Sequence, residues 1–240
     1  MTGTRLKGAT TLEILPVHPT LCPDCPAVQT GVLHGLVSAE AGCSLQWVSL
    51  KARQPIPARW PGSYSIALVR RGAIVRQRVD GAGHASAVDA IGVGGGFVVN
   101  QGHVESTASG YAATASLVCL CPAPVAAEKL ANDGETAKSL WALAESALER
   151  VERIADARGR PTTDGRIAAL LGALADTLGG VPRDFVPAGL QQRDLAALVS
   201  VRPESVCRSL KAMTAAGLIR KDSRGIHLVD RPGLAKRGGA

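Results

Sequence analysis

No stretch of the 240-residue chain approaches the ~20 consecutive apolar residues that a membrane-spanning helix requires, although 46% of its residues are apolar. The N-terminal stretch MTGTRLKGATTLEILPVHPT likewise lacks a continuous apolar core and a small-residue cleavage ending. Neither a membrane span nor a secretory leader is expected, and the sequence predicts a cytoplasmic protein. A phosphate loop is missing too: Gly94-Gly95-Gly96 is followed by no Lys-Ser/Thr and no helix, so the triplet predicts a tight turn between strands.

Six cysteines in a reducing compartment do not suggest a disulfide framework. Clustered ones are candidates for metal ligands, cluster ligands or redox thiols. The charge is also uneven. Residues 190 to 240 hold ten Lys and Arg against four Asp and Glu, an excess of six within a chain of net charge +7. A basic excess confined to one end is the footprint of a polyanion partner.

Residues 44 to 122 read as short β-rich runs, SLQWVSLKA, SYSIALVRRG, AIVRQRV, SAVDAIGV, GFVVNQ and ATASLVCLCP, separated by Gly, Pro, Asp or Asn. Six or more such runs at 8 to 12 residue spacing predict a β-barrel or sandwich. From Asn132 the pattern becomes helical. ETAKSLWALAESALERVERIADARGR has no Pro and no Gly before Gly159, and Leu140, Ala144, Ala147, Val151 and Ile154 recur at four- and three-residue steps. So narrow an apolar stripe on so long a helix suggests a seam between two copies of the chain. A second helix, GRIAALLGALADTL, ends at Gly179-Gly180-Val181-Pro182.

The last segment is the most informative. A helix around Gln191 to Val199 is followed by Ser200-Val201-Arg202, and Pro203 then opens another helix that closes at Gly217. This is helix-turn-helix spacing, and LIRKDSRGIHLVD behind it reads as a two-stranded wing. The expected organisation is an N-terminal cysteine-containing segment with a short helix (1–43), a β-barrel domain (44–131) that the family resemblance given below implies is the sensor, a dimerisation helix (132–159) and a winged helix-turn-helix domain (160–240), an α+β chain overall.

Glu204 and Arg208 stand four apart, on one face of the second helix of the motif, where such a helix meets base edges. An Arg can donate two bonds to guanine O6 and N7, and a carboxylate can accept from cytosine N4; each good pair contributes ~1 to 3 kcal/mol of discrimination. Arg202, Lys211, Arg220 and Arg224 would serve phosphates, which position the module and make binding salt-dependent.

The order barrel, long helix, winged helix-turn-helix, with RDLAALVSVRPESVCRSLKAM near its end, resembles the CRP/FNR superfamily of bacterial transcription regulators from about Cys22 to Leu228. The resemblance implies a homodimer, a two-fold DNA site, RNA polymerase as a partner and no enzymatic activity. The family's E-x-x-S/G-R pattern falls on Glu204, Cys207 and Arg208, with Ser205 beside them; Cys207 departs from the usual Ser or Gly. Cyclic-nucleotide members of the family carry an Arg-Ser pair for the phosphate. GGGFVVNQGHVESTASGYAA, the matching region, has no Arg, so no cyclic nucleotide is expected.

The oxygen-sensing FNR branch has an N-terminal C-x-x-C, a third cysteine soon after, and a fourth on a barrel strand before the long helix. Cys22 and Cys25 match the first two and Cys119 resembles the fourth, while Gly31 occupies the place of the third. Cys119 and Cys121, two apart in a strand, share a face with Cα atoms roughly 6 to 7 Å apart. The expected ligands of a [4Fe-4S] cluster are therefore Cys22, Cys25, Cys119 and Cys121, with Cys43 as the alternative fourth. The same four thiolates would suit Zn²⁺. His18 and His34 flank the first pair. A thioredoxin-like reading of CPDC would require a βαβ context, whereas EILPVHPTLCPDCP is punctuated by proline on both sides.

Overall fold

The fold was taken from a computed structural model, which describes residues 13–15, 45–56, 64–99, 108–178 and 183–239. The β-rich half forms two sheets rather than a closed barrel. Strands β1 (Glu13–Leu15), β2 (Gln46–Leu50), β4 (Tyr64–Arg71), β7 (Gly96–Val98) and β9 (Ser116–Pro122) make one sheet in the order β1-β2-β9-β4-β7. Strands β3 (Pro55–Ile56), β5 (Ile74–Val79), β6 (Ala85–Ile91) and β8 (Ala108–Ala112) make the other in the order β3-β8-β5-β6. Each sheet ends in edge strands of its own, so the arrangement is a jelly-roll-like sandwich.

Period-two alternation explains the layering. Val48 and Leu50 of β2, Ala67 and Val69 of β4, and Val118 and Leu120 of β9 turn inward. There they meet Ile56, Ile74, Ile91, Phe97 and Ala112 in one buried core. The alternate residues, Trp47, Ile66, Leu68, Cys119 and Cys121, form a second cluster on the outer face with Leu45, Ala126 and Leu143. The glycine triplet turns the chain between β6 and β7. Gly94 takes φ +85°, a conformation costly for any side chain, and its N–H donates to the Val69 carbonyl at 2.9 Å.

Two helices follow β9: α1 (Ala123–Asn132) and the 26-residue α2 (Gly134–Gly159). Asp133 breaks them apart, accepting from Thr136 Oγ1 at 2.7 Å and from the Glu135 N–H at 3.0 Å. These bonds satisfy donors at the start of α2 and hold the Asp133 carboxyl below the usual carboxylate range. Beyond α2 come α3 (Thr163–Leu178), α4 (Gln192–Val199), α5 (Pro203–Ala215) and α6 (Arg231–Gly238). Strands β10 (Phe185–Pro187), β11 (Ile219–Asp222) and β12 (Gly225–Leu228) build a small sheet in the order β10-β12-β11. Among the described residues no helix is long and apolar enough to cross a membrane.

The chain forms two compact units: Met1–Ile74 with Ile91–Leu148, and Val75–Ala90 with Glu149–Ala240. The hairpin arms of β5 and β6 thus group with the C-terminal half. Within that second unit Arg150 of α2 meets Asp89 of β6 through Nε at 3.2 Å and Nη2 at 3.3 Å, both side chains almost wholly buried. Further along α2, Arg158 donates from Nε to the Leu198 carbonyl at 2.6 Å and from Nη2 to the Ala87 carbonyl. Burial lowers the Arg158 pKa, though a guanidinium starts so high that it stays charged.

Candidate nucleic-acid interface and sensor site

The helix-turn-helix is built from local signals that each satisfy a backbone group. Gln191 and Asp194 form a capping box at the start of α4, with the Gln191 N–H donating to Asp194 Oδ2 at 2.6 Å. Ser200 ends α4 in the left-handed region, φ 54° and ψ 49°, which turns the chain sharply. Val201 and Arg202 complete the turn, and Pro203 and Glu204 occupy the first turn of α5, where a missing N–H and a negative charge are both favourable.

Along α5 the buried residues are Val206, Ser209, Leu210 and Met213, at helical spacing. The opposite face presents Glu204, Arg208 and Lys211 to solvent, with Arg202 exposed just before the helix and Ser205 and Cys207 half-buried. Glu204 and Arg208 enter no ion pair among the described residues, so both keep their hydrogen-bonding capacity for a partner. The expected DNA-contacting set is thereby gathered on one side of one helix.

Next to this helix stands the wing. Asp222 Oδ1 accepts from the Arg224 N–H at 2.8 Å and the Gly225 N–H at 3.2 Å, closing the turn between β11 and β12. Its Oδ2 lies 2.8 Å from His227 Nε2. The Arg224 backbone bond, followed by the His227 contact, holds the Asp222 carboxyl below the usual range. Gly225 is required here: at φ +151° an added Cβ would lie 2.1 Å from the Val186 carbonyl oxygen of β10. Arg220 on β11 and Arg224 in the turn of the wing are exposed, placed where phosphates could reach them.

Residues 165–237 match the model of the Crp-like helix-turn-helix domain. The C-terminal segment is thus similar to a Crp-like helix-turn-helix domain. Its third strand, β10, and its last helix, α6, are not apparent in the sequence: Phe185–Pro187 is too short for a periodic pattern, and RPGLAKRG carries Gly and Pro. Asp230 followed by Arg-Pro is the available signal for α6, since Asp230 Oδ1 accepts from the Gly233 N–H at 2.9 Å as its cap.

The chain shares its fold with solved CRP/FNR regulators. FixK2 from Bradyrhizobium japonicum matches with TM-score 0.70 and 19% identity over 82% of this chain and 98% of its own. TTHB099, a CRP-family transcriptional regulator from Thermus thermophilus, gives 0.60 and 18% over 80% and 96%. A CooA mutant from Carboxydothermus hydrogenoformans gives 0.64 and 14% over 89% and 95%. At these identities the likeness is one of fold. No curated protein sequence matches the chain significantly.

On the sensor side, Cys22, Cys25, Cys43, Gly31, His18 and His34 lie outside the described residues, as does part of the stretch aligned with a cyclic-nucleotide site. Cys119 and Cys121 are described. Both are buried on the outer face of β9, in the cluster with Trp47, which pairs with Cys119 across β2 and β9. Among the described residues no three His, Cys, Asp or Glu side chains converge on one point. Trp47 Nε1 is buried and meets no acceptor among the described residues, and Arg70 lies 4.5 Å from the Trp47 ring centroid. Two thiols on one strand face, in one cluster with an indole, would suit half of a sulfur-ligated centre, since metal-bound sulfurs accept hydrogen bonds.

The residues expected for a seam on the long helix differ in exposure. Ile154, 3% exposed, is buried within its own unit, and Leu140 packs on the Cys119 cluster. Ala147 is half-buried, while Ala144 and Val151 are exposed. An exposed apolar stripe runs along Trp141, Ala144, Leu148, Val151 and Ala155, with Trp141 71% and Leu148 59% exposed.

Proposed function

We propose that the protein is a homodimeric transcription regulator that reads a two-fold DNA site through α5 and carries a cysteine-bound group, a [4Fe-4S] cluster, that responds to O2 or NO. The observation that supports DNA reading is the exposed Glu204-Arg208-Lys211 face of α5 beside the tight Ser200 turn and a basic wing. Arg208 and Glu204 address base edges in the major groove, while Arg202, Lys211, Arg220 and Arg224 bind phosphates. The stripe from Trp141 to Ala155 pairs with the same stripe of a second copy at the 3.5-residue spacing of a coiled coil. RNA polymerase is the further partner that this class of regulator calls for.

For the sensor, Cys119 and Cys121 on one face of β9, in one buried cluster with Trp47, support the reading. Cys22 and Cys25 would complete the ligand set, with Cys43 in place of Cys121 as the variant. Such a cluster supplies an iron-sulfur core open to attack by O2 or NO. It can shift DNA affinity only by being bound with different free energy in two states of the protein. Zn²⁺ on the same four sulfurs, or a thiol-disulfide switch, is the second reading, favoured by the compact Cys-x-Cys geometry.

Anaerobic purification followed by iron, sulfide and zinc assay separates them. Four irons and four sulfides per chain with visible absorption support the cluster. One zinc and no colour would replace it, and neither metal would leave the thiol switch. For DNA, selection of a duplex from a random pool tests the reading, and enrichment of no sequence would remove it.

A further inference from the structure

Ser209 follows Arg208 on α5 but points into the domain, where it is 3% exposed. Its hydroxyl donates to Asp164 Oδ1, in the first turn of α3. The other oxygen of the same carboxylate, Oδ2, accepts from Arg237 Nη2 at 2.5 Å and Nε at 3.2 Å. Arg237 belongs to α6, which is seated by buried Leu234 and Gly238. One carboxylate therefore ties three helices together, and its two oxygens have separate duties.

We propose that Asp164 is a positioning residue for DNA reading, which sets the rotation of α5 about its axis through Ser209 and is itself aimed by Arg237 of the C-terminal helix. This rests on α5 being the DNA-reading helix. The remaining contacts of its buried face, Val206, Leu210 and Met213, are apolar and non-directional, so they hold the helix in place but oppose its turning weakly. A hydrogen bond at one side of the helix is directional. With side chains at a radius of roughly 6 Å, a turn of about 10° moves their tips by about 1 Å. Such a shift is enough to spoil a two-point contact from Arg208 to guanine, whereas a phosphate contact from Lys211 tolerates it.

The chemistry of the link agrees with this role. The bond from Ser209 is the largest cause, and Arg237 the next, of a carboxyl held below its usual range, so Asp164 is anionic at neutral pH and acts as acceptor to both. The Asp164–Arg237 ion pair is more than a third exposed on the carboxylate side and adds little stability by itself. Its value lies in direction, since both guanidinium N–H groups converge on Oδ2 and leave Oδ1 to Ser209.

The test measures the full-length protein's affinity for a duplex selected by the wild type from a random pool, and for a random duplex, across a range of salt. Asp164→Asn and Ser209→Ala are each expected to lower the ratio of specific to random affinity by about 3- to 10-fold, with the random-duplex affinity and the salt slope unchanged. Ser209→Thr, which keeps the hydroxyl, retains the wild-type ratio, and Arg237→Gln gives a smaller loss. Equal losses on both duplexes, or an unchanged ratio in Ser209→Ala, would overturn the proposal while leaving DNA reading by α5 intact. A wild type with no sequence preference would overturn both. Ser209→Ala removes one oxygen and leaves no large cavity, so it answers the question even if Asp164→Asn proves unstable.

Discussion

Asp89 and Arg150 face each other with both side chains out of water, 0% and 5% exposed, joined at two points between the β5–β6 hairpin and the long helix. Arg76 adds a second cation near the same carboxylate; burial lowers its pKa, and Asp89 opposes that effect. Removing one partner of such a pair leaves a buried charge uncompensated. Asp89→Leu, which removes the carboxylate near both Arg150 and Arg76, should destabilise the protein by about 3 to 5 kcal/mol, with Arg150→Met similar. The double variant should recover part of that loss. Urea denaturation followed by circular dichroism reads this directly, and additive losses would show the pair to be uncoupled.

On DNA, Arg208→Ala should relax preference at one half-site position at a cost of about 1 to 3 kcal/mol on the selected duplex. Lys211→Ala should weaken all duplexes alike and reduce the salt slope by about one. Titrations at several salt concentrations distinguish the two, and identical behaviour of the variants would contradict the division of roles on α5.

The face of α2 on which the proposed second copy packs can be located by mutation. Leu148→Glu places a charge in the exposed stripe and should yield monomers in sedimentation experiments with the fold retained. Ile154→Ala should instead cost about 2 to 5 kcal/mol of folding stability, because it empties a site inside the chain's own core. A dimer that survives Leu148→Glu would place the seam elsewhere.

Cys119→Ser and Cys121→Ser should each deplete the bound iron and sulfide, or the bound zinc under the second reading. If Cys121→Ser leaves the metal in place while Cys43→Ser removes it, the fourth ligand is Cys43. Metal analysis of anaerobically isolated variants decides between them.

Acid should open the wing first. The Asp222 carboxyl is depressed in the folded protein, so its contribution is fully present above the unfolded carboxylate pKa and is lost as pH falls through the lower folded value. Amide exchange of Arg224 and Gly225 should therefore quicken below about pH 4, relative to amides of α3. Uniform acceleration across the domain would indicate that the turn is not the sensitive point.

The helix-turn-helix is legible in the sequence because its signals are local: Pro203 at a helix start, a three-residue turn, a basic wing with a glycine. The facing of the long helix is not. Apolar residues run down two sides of α2, Leu140, Leu143, Ile154 and Ala157 on one and Trp141, Leu148 and Val151 on the other, and period alone cannot say which side meets the chain's own core. Arg150 and Thr136, both buried, also interrupt the inner side with polar residues. Strand spacing is the same in a barrel and in a two-sheet sandwich, so closure has no local signature. Helix α1 hides behind the strand before it, because Pro122 and Pro124 read as loop punctuation when Pro124 sits in a helical first turn. The pairing of Cys119 with Cys121 is visible from strand alternation alone, whereas the neighbouring Trp47 donor depends on register between β2 and β9, which is non-local.

Arg158 spends its guanidinium on two carbonyls, Ala87 in the hairpin and Leu198 in the last turn of α4. Carbonyl acceptors do not titrate, so this junction keeps its strength across pH, unlike the Asp222 turn. Sharing one donor group also makes the two ends reciprocal: whatever free energy α4 contributes to keeping the hairpin strand in place, the hairpin returns in equal amount to α4.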